Sequence, residues 1–334
     1  MRTSIISLGL CLMACPGRDF TPRDGGFVLP DAGRLPDGGQ RVELRRCPTT
    51  GQGAMEGDVC FVVTPSETGL EASGTNATVE QYALRPQTNA RGTLLVFFNG
   101  SGGSPRAGTG SAAGSFYGVA RAQGLHVLAV SYSSDTTVAQ LCAGQDACFE
   151  PTRASILLGD PQPGAADAVN DLSPDEGAFE RLAKTLLHLA EGDPTGGWEA
   201  FVDRTKLPDA EAAIRWESVF VAGHSQGGGH AALVAKRQRV GRAVLLASPC
   251  DGDAMTPATW LSSSAGWKTE PSRLRGLWSM GDTTCRRAPE VWTALGVLAV
   301  NRTDDGPVCA GETPHSAPLR CASNAARWAE FFAP

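Results

Sequence analysis

Six short, mostly apolar runs bounded by Gly, Pro or Asn constrain the fold of this chain most strongly. Runs this short and this rich in Val, Leu and Phe are typical of strands buried on both faces of a sheet. Helical patterns separate them, with apolar positions on one face in residues 178–190 and 322–332. Strands that alternate with helices predict an α/β fold, in which a mostly parallel central sheet is flanked by helices on both faces. The six predicted strands occupy residues 93–98, 126–130, 218–222, 243–247, 274–280 and 295–300, and residues 78–85 alternate as a half-exposed strand does.

The overall composition fits a globular protein with a core, because 42% of the 334 residues are hydrophobic and 19% are charged. The net charge is −6, and the sequence shows no basic stripe of the kind that binds phosphate backbones. We therefore expect no nucleic-acid partner. No apolar run reaches the length that spans a bilayer.

The amino-terminal residues have the pattern of an export signal. Arg2 precedes an apolar run at residues 5–12, and we interpret residues 1–14 as a signal peptide. The sequence L-M-A-C at residues 12–15 resembles the lipobox of bacterial lipoproteins, which implies cleavage before Cys15 and a lipid chain on its sulfur. A plain secretory signal is the alternative. We expect an exported protein that is lipid-anchored in the cell envelope or secreted, and that meets a membrane only through this anchor.

Two further segments follow the signal. Residues 15–40 are dominated by Gly, Pro, Asp and Arg and have few large apolar side chains, so we interpret them as a flexible tether. The pattern is globular from about residue 41, and no internal repeat is visible. We therefore expect residues 41–334 to form a single domain.

The cysteines indicate disulfides. Ten are present, and eight remain once Cys11 in the signal and Cys15 at the lipid site are set aside. An even number in an exported chain favours disulfides, and the absence of a C-x-x-C pair disfavours zinc. Sequence leaves the connectivity open, but the shortest separations suggest the pairs Cys47–Cys60, Cys142–Cys148 and Cys309–Cys321, with Cys250–Cys285 left over.

The most informative motif is G-H-S-Q-G-G at residues 223–228, which contains G-x-S-x-G through Gly223, Ser225 and Gly227. It follows the apolar run 218–222 directly and leads into a helix-forming segment. This strand–turn–helix setting holds a serine hydroxyl exposed on a strained turn, and glycines without a Cβ let strand and helix approach closely. The helix amino terminus behind Ser225 offers unpaired N–H groups to a developing oxyanion. A glycine-rich connection with an idle serine is the alternative.

This motif resembles the nucleophile elbow of α/β-hydrolase esterases, lipases and polyesterases, and the resemblance extends over about residues 78–333. It implies an α/β-hydrolase catalytic domain with a second oxyanion donor in the loop after residues 93–98. Asn99 stands there where the family often has a histidine, but the following glycines remain. By the family pattern the donors are the N–H groups of Gln226 and Ser101, with Gly102 as the alternative to Ser101. The loop lacks the Lys-Ser/Thr ending of a phosphate-binding loop.

A serine nucleophile needs a base, and the chain has five histidines. His126 opens a predicted strand, His188 lies in a predicted helix, and His224 and His230 flank the elbow. His315 alone follows the last predicted strand, in the loop where α/β-hydrolases have their base. We therefore predict that His315 is the base.

The acid should follow the penultimate strand, and Asp282 does so directly after residues 274–280. It would emerge beside the loop of the base, because sequential strands usually pair. Asp251 and Asp253 follow the preceding strand and are the rivals, since some members of the family use that position. Asp304 and Asp305 come too late in the chain.

The resemblance implies a serine hydrolase that cleaves carboxylic esters through an acyl-enzyme intermediate. A peptidase or amidase of the same fold is an alternative, because the same triad serves esters and amides. A surface-binding protein that has lost catalysis is another. Residues 133–175 and 251–272 are too short for a large cap domain, so we expect an open cleft for small or polymeric esters, with Trp260 and Trp267 either lining it or packed in the core. We expect no cofactor, no metal and a monomer.

Overall fold

The computed structural model describes residues 42–47, 59–71, 79–109, 115–253 and 255–334. The described residues belong to one compact unit, Gly39–Pro334. The predicted signal peptide of residues 1–14, the lipid site at Cys15 and the tether of residues 15–40 lie outside the described residues and stay predictions. Within the described ranges, no helix combines the length and the hydropathy that a membrane span needs.

Within these ranges, nine strands form one sheet in the order β1-β2-β3-β5-β4-β6-β7-β8-β9. The pairs β1–β2, β2–β3 and β3–β5 are antiparallel, and every other neighbouring pair is parallel. The central strands β4, β5 and β6 are buried along almost their whole length, which is why their sequences are continuously apolar. The strands are β1 (Arg45–Arg46), β2 (Val59–Val63), β3 (Gln81–Arg85), β4 (Leu94–Phe98), β5 (His126–Val130), β6 (Val219–His224), β7 (Arg242–Leu246), β8 (Leu274–Leu277) and β9 (Arg302–Thr303).

Helices cover both faces of this sheet. On one face, Phe116 of α1 contacts Trp328 and Phe332 of α9, with ring centroids 5.6 and 5.2 Å apart. On the other, α4 packs on β5 and α6 packs on β4, β6 and β7. The predicted α/β architecture is therefore confirmed. The helices are α1 (Phe116–Ala122), α2 (Val138–Cys142), α3 (Phe149–Leu158), α4 (Ala178–Gly192), α5 (Ala210–Ala213), α6 (Gln226–Arg237), α7 (Ala288–Ala294), α8 (Ala317–Arg320) and α9 (Ala325–Phe332).

The predicted strand at residues 295–300 is wrong. Leu295 caps the end of α7, and Gly296 follows with a φ of 73°. Leu298 and Val300 are 51% and 74% exposed, and residues 299–301 form a 3-10 turn. Only Leu295 and Val297 of this run are buried, so its apolar composition reflects a surface loop that packs through two side chains. The last strand of the sheet is β9, which has only two residues.

The cysteines pair as their separations suggested. In each pair the Cα atoms lie within the range that a disulfide requires, between 4.6 and 5.6 Å. The short-range pairing is thus confirmed for all eight cysteines of the globular unit. The pairs are Cys47–Cys60, Cys142–Cys148, Cys250–Cys285 and Cys309–Cys321.

Candidate active site

Ser225 lies on a strained turn at the carboxyl end of β6. Its φ and ψ are 54° and −123°, and α6 begins at the next residue, Gln226. A non-glycine residue in this region of backbone space costs about 1–3 kcal/mol, so the surrounding structure must hold it there. The Ser225 N–H donates to the carbonyl of Leu246 at 3.0 Å, which ties the turn to β7. The serine side chain projects from the turn and is partly exposed.

The glycines of the motif are required by close packing around this turn. A Cβ on Gly223 would collide with the backbone of Gly227, and one on Gly227 would collide with the carbonyl oxygen of Phe98. A Cβ on Gly228 would collide with the side chain of Ser248. The two glycines that the motif singled out therefore let β6, α6 and the end of β4 meet around the serine.

His315 and Asp282 lie together at the carboxyl edge of the sheet. His315 Nδ1 is 2.9 Å from Asp282 Oδ2. The other carboxylate oxygen of Asp282 accepts the N–H groups of Thr284 at 2.8 Å and Cys285 at 3.1 Å. Burial acts to raise the pKa of Asp282, but the bond and charge of His315 and the two backbone N–H groups outweigh it and hold the pKa below its usual value. A charged Asp282 is an acceptor only, so His315 donates from Nδ1, and in a neutral imidazole this leaves Nε2 as an acceptor.

The loop that carries His315 contacts the turn of Ser225 through His224, the residue before the serine. The rings of His224 and His315 have centroids 4.9 Å apart, and His224 Nε2 donates to the carbonyl of His315 at 2.7 Å. Among the described residues no hydrogen bond joins Ser225 Oγ to the His315 ring, and catalytic hydrogen bonds of this kind often tighten only when substrate binds. Sequence reasoning set His224 aside as a neighbour of the elbow; its position next to the nucleophile was the available signal.

The two predicted oxyanion donors also come together. Gln226 is the first residue of α6, so its N–H has no partner within the helix. Ser101 Oγ donates to Gln226 Oε1 at 2.7 Å, and the N–H of Val138 donates to the same oxygen at 3.0 Å. The Ser101 N–H donates to no group in the described part of the chain, whereas the Gly102 N–H is bonded to the carbonyl of Ser134 at 2.8 Å. This geometry favours Ser101 over Gly102 as the second donor.

The carboxylate of Asp251 bonds Arg153 and Trp260, and not His315, among the described residues. Its carboxylate pairs with the guanidinium of Arg153, with Nε 2.7 Å from Oδ2 and Nη2 bonded to Oδ1. Trp260 Nε1 also donates to Oδ2, at 3.1 Å, and Arg153 Nη1 donates to the carbonyl of Gln226 at 2.8 Å. The second rival, Asp253, is exposed and bonds the N–H groups of its own turn.

Two disulfides lie in the loops that carry Asp282 and His315. Cys250–Cys285 joins the loop after β7 to the loop after β8, and the N–H of Cys285 bonds Asp282. Cys309–Cys321 closes a loop that contains His315. Cys285 also lies near Asp282 and His315 in a cluster with the composition of a metal site, but its sulfur is taken up by the disulfide.

Residues 133–175 and 251–272, which are too short for a large cap domain, each combine buried and exposed residues. Residues 133–175 include α2 and α3, and α3 packs against α4 and α6. In residues 251–272, Trp260 is only 7% exposed and stacks on Trp267 with ring centroids 6.3 Å apart. Trp260 is therefore a packed residue that supports Asp251 rather than an exposed one.

The chain is similar to several hydrolases of solved structure, with TM-scores below 0.5. The chain matches an S-formylglutathione hydrolase from Agrobacterium tumefaciens with a TM-score of 0.45 and 11% identity, covering 84% of this chain and 98% of that one. It matches one of two fungal esterases from Rhizomucor miehei with a TM-score of 0.40 and 12% identity, over 84% and 85% of the chains. A putative dienelactone hydrolase from Klebsiella pneumoniae gives 0.39 and 13%, over 82% and 98%. No protein-family model matches the chain, and no curated protein matches its sequence.

The mixed sheet has a serine on the turn between a central parallel strand and the helix that follows it. This is the arrangement of the α/β-hydrolase fold.

Proposed function

We propose that this protein is a serine hydrolase that cleaves carboxylic esters. The observation that carries the proposal is the bond of 2.9 Å between His315 Nδ1 and Asp282 at the same edge of the sheet as the strained Ser225. Serine is a weak nucleophile until a base removes its proton. A histidine whose Nδ1 proton is held by a carboxylate presents Nε2 in the form that takes up this proton.

The reaction follows from these positions. Ser225 Oγ attacks the ester carbonyl carbon and transfers its proton to His315 Nε2, while Asp282 stabilises the imidazolium. The N–H groups of Gln226 and Ser101 bond the oxyanion, and one such donor is worth about 3–4 kcal/mol. The bond to the alcohol oxygen then breaks as His315 returns the proton to it, which leaves an acyl-serine. Water attacks this intermediate with His315 as base, and the carboxylic acid is released.

The exposure of the site supports substrates that approach from solvent. Ser225, Ser101 and His315 are all partly exposed, and Met280 beside the acid loop is 73% exposed. On this proposal the cleft is open and takes small or polymeric esters. The enzyme acts as an exported monomer, held in the cell envelope through Cys15 or secreted. Four disulfides fit an oxidising compartment.

The test is a panel of acyl esters measured beside a panel of aminoacyl amides, with Ser225→Ala as the control. We expect the wild type to hydrolyse esters more efficiently than amides, and Ser225→Ala to lose turnover by about 10⁴-fold while it remains folded. A wild type that prefers amides would make the protein a peptidase or amidase. A wild type that cleaves neither, or a fully active Ser225→Ala, would overturn the proposal.

A further inference from the structure

Residues 224–226, the nucleophile turn, share a hydrogen bond with residues 304–316, the base loop that carries His315. This bond involves neither the serine hydroxyl nor the His315 ring. His224 is the last residue of β6 and directly precedes Ser225. Its Nε2 is 2.7 Å from the carbonyl oxygen of His315, which can only accept, so His224 carries a proton on Nε2 and donates. In the described part of the chain this carbonyl accepts no backbone N–H. His224 is therefore the group that bonds the backbone of the base.

We propose that His224 is a positioning residue that holds His315 in place for proton transfer from Ser225. The inference rests on the proposed function. His315 is attached at two points, through its ring to Asp282 and through its carbonyl to His224. The bond to Asp282 holds the ring but does not by itself fix the carbonyl of the same residue relative to β6. The second bond fixes the base relative to the element that carries the nucleophile, and displacements of about 1 Å at such a pair can cost about 10² in rate.

The surroundings of His224 fix its own ring. A Cβ added to Gly100 would lie 3.2 Å from His224 Nδ1 and 3.3 Å from the Cβ of Ser225. The loop of residues 99–103, here called the oxyanion loop, therefore packs against the imidazole. The ring of His315 also lies close, with its centroid 4.9 Å away. His224 thus contacts the oxyanion loop, the nucleophile turn and the base loop together.

A histidine also suits this position because it stays neutral. Burial and the nearby positive charge of His315 lower the pKa of His224 to about 4, with Arg320 acting in the same direction and Asp282 opposing it. A neutral donor bonds the carbonyl without placing a second positive charge beside the imidazolium that forms during the reaction. Lysine or arginine would donate the same bond but would oppose that charge.

The test compares two neutral amides of different reach. In His224→Gln the amide nitrogen lies close to the position of Nε2 and can donate to the carbonyl of His315. The side chain of His224→Asn is one methylene shorter, so its amide nitrogen does not reach this carbonyl. We expect His224→Asn to lower kcat by about 10–100-fold with KM changed less than about threefold. His224→Gln should recover kcat to within about fivefold of the wild type. His224→Phe keeps a ring of similar size without a donor, and it should behave like His224→Asn.

A second measurement follows the base itself. We expect the proton between His315 Nδ1 and Asp282 to give a low-field NMR signal. This signal should be sharp in the wild type and in His224→Gln and should broaden in the two variants without the donor. Equal kcat in the glutamine variant and in the folded variants without a donor would overturn the proposal, whether all are active or all inactive. A wild type without ester hydrolysis would instead refute the proposed function, and the NMR comparison would still decide the role of His224.

Discussion

Arg153 and Asp251 form a buried ion pair next to the turn that carries Ser225, with both side chains 2% exposed. The guanidinium of Arg153 fills the space that a side chain on Gly229 would need, and it bonds the carbonyl of Gln226 in the first turn of α6. Asp251 neutralises this charge and holds it in place. The pair therefore supports the helix that follows the serine, and Asp251 has no contact with the His315 ring among the described bonds.

This arrangement predicts that three Asn substitutions differ in their effects on turnover and on the free energy of unfolding. Asp282→Asn should lower turnover by about 10³–10⁴-fold near neutral pH, because the amide favours the wrong tautomer of His315. Asp251→Asn leaves the charge of Arg153 buried without a partner and should lower the free energy of unfolding by about 3–5 kcal/mol. Asp253→Asn should change turnover little, since its carboxylate only bonds its own turn.

Turnover and denaturant unfolding, measured side by side for these three variants, separate the two roles. The assignment of the acid is wrong if Asp282→Asn stays active while folded Asp251→Asn or Asp253→Asn is the one that loses turnover. The roles of the serine and the histidine would survive that result.

Two disulfides of almost equal loop length offer a matched comparison. Cys309–Cys321 closes a separation of 12 residues around His315, and Cys47–Cys60 closes a separation of 13 residues elsewhere. Chain entropy predicts a similar loss of stability, about 3 kcal/mol, when either is replaced by two serines. We expect kcat to fall more than about tenfold only when Cys309–Cys321 is removed, because that loop carries the base. Equal kcat losses in the two folded variants would contradict this role of the disulfide.

The lowered pKa of His224 predicts a pH-dependent loss of stability. In the unfolded chain this histidine binds a proton below about pH 6.5, but in the folded protein it does so only below about pH 4. Between these values the unfolded state binds more protons, so the free energy of unfolding falls as the pH is lowered. We expect this fall to be smaller in His224→Gln, by at most about 3 kcal/mol.

Urea unfolding of both proteins at pH 7 and pH 4.5 checks this prediction. The other histidines with a lowered pKa, His126, His188 and His230, are present in both proteins, so their effects cancel in the comparison. An equal fall in the two proteins would show that His224 is protonated in the folded state at pH 4.5.

Local sequence patterns were sufficient for the central sheet and for the turn that carries Ser225. The strands β4 to β7 are buried on both faces, so their apolar runs are continuous and easily recognised. The pairing of Asp282 with His315 was also predicted, although one premise failed, since residues 295–300 are not a strand. Asp282 meets His315 because both of their loops lie at the carboxyl edge of the sheet. This placement depends on β8 and on the base loop, and it does not require a strand at residues 295–300.

Contacts between distant elements were not predictable in the same way. Arg153 lies in α3, 98 residues before Asp251, and nothing in its local sequence indicates a buried charge. The bond of His224 to His315 spans 91 residues and depends on how the base loop returns to β6. The antiparallel strands β1 and β2 were not predicted either. β1 has only two residues, and both are exposed, whereas β2 is a buried apolar run with the same signal as the central strands.

The lipid anchor is a separate prediction from the sequence. Cys15 lies outside the described residues, and its environment resembles a lipobox. Metabolic labelling with a clickable fatty acid in a bacterial host should tag the wild type and not Cys15→Ala. Equal labelling of the two would mean that the acylated position, if any, is elsewhere.

Labelling with a fluorophosphonate probe tests the central claim most directly, because the probe reacts with a serine only where a base and an oxyanion site activate it. The modified residue is identified by peptide mass spectrometry, with heat-denatured protein and His315→Ala as controls. We expect one modification, on Ser225, in the native wild type and little or none in either control. Modification of a different serine, or no modification of the folded wild type, would contradict the assignment of Ser225 as the nucleophile.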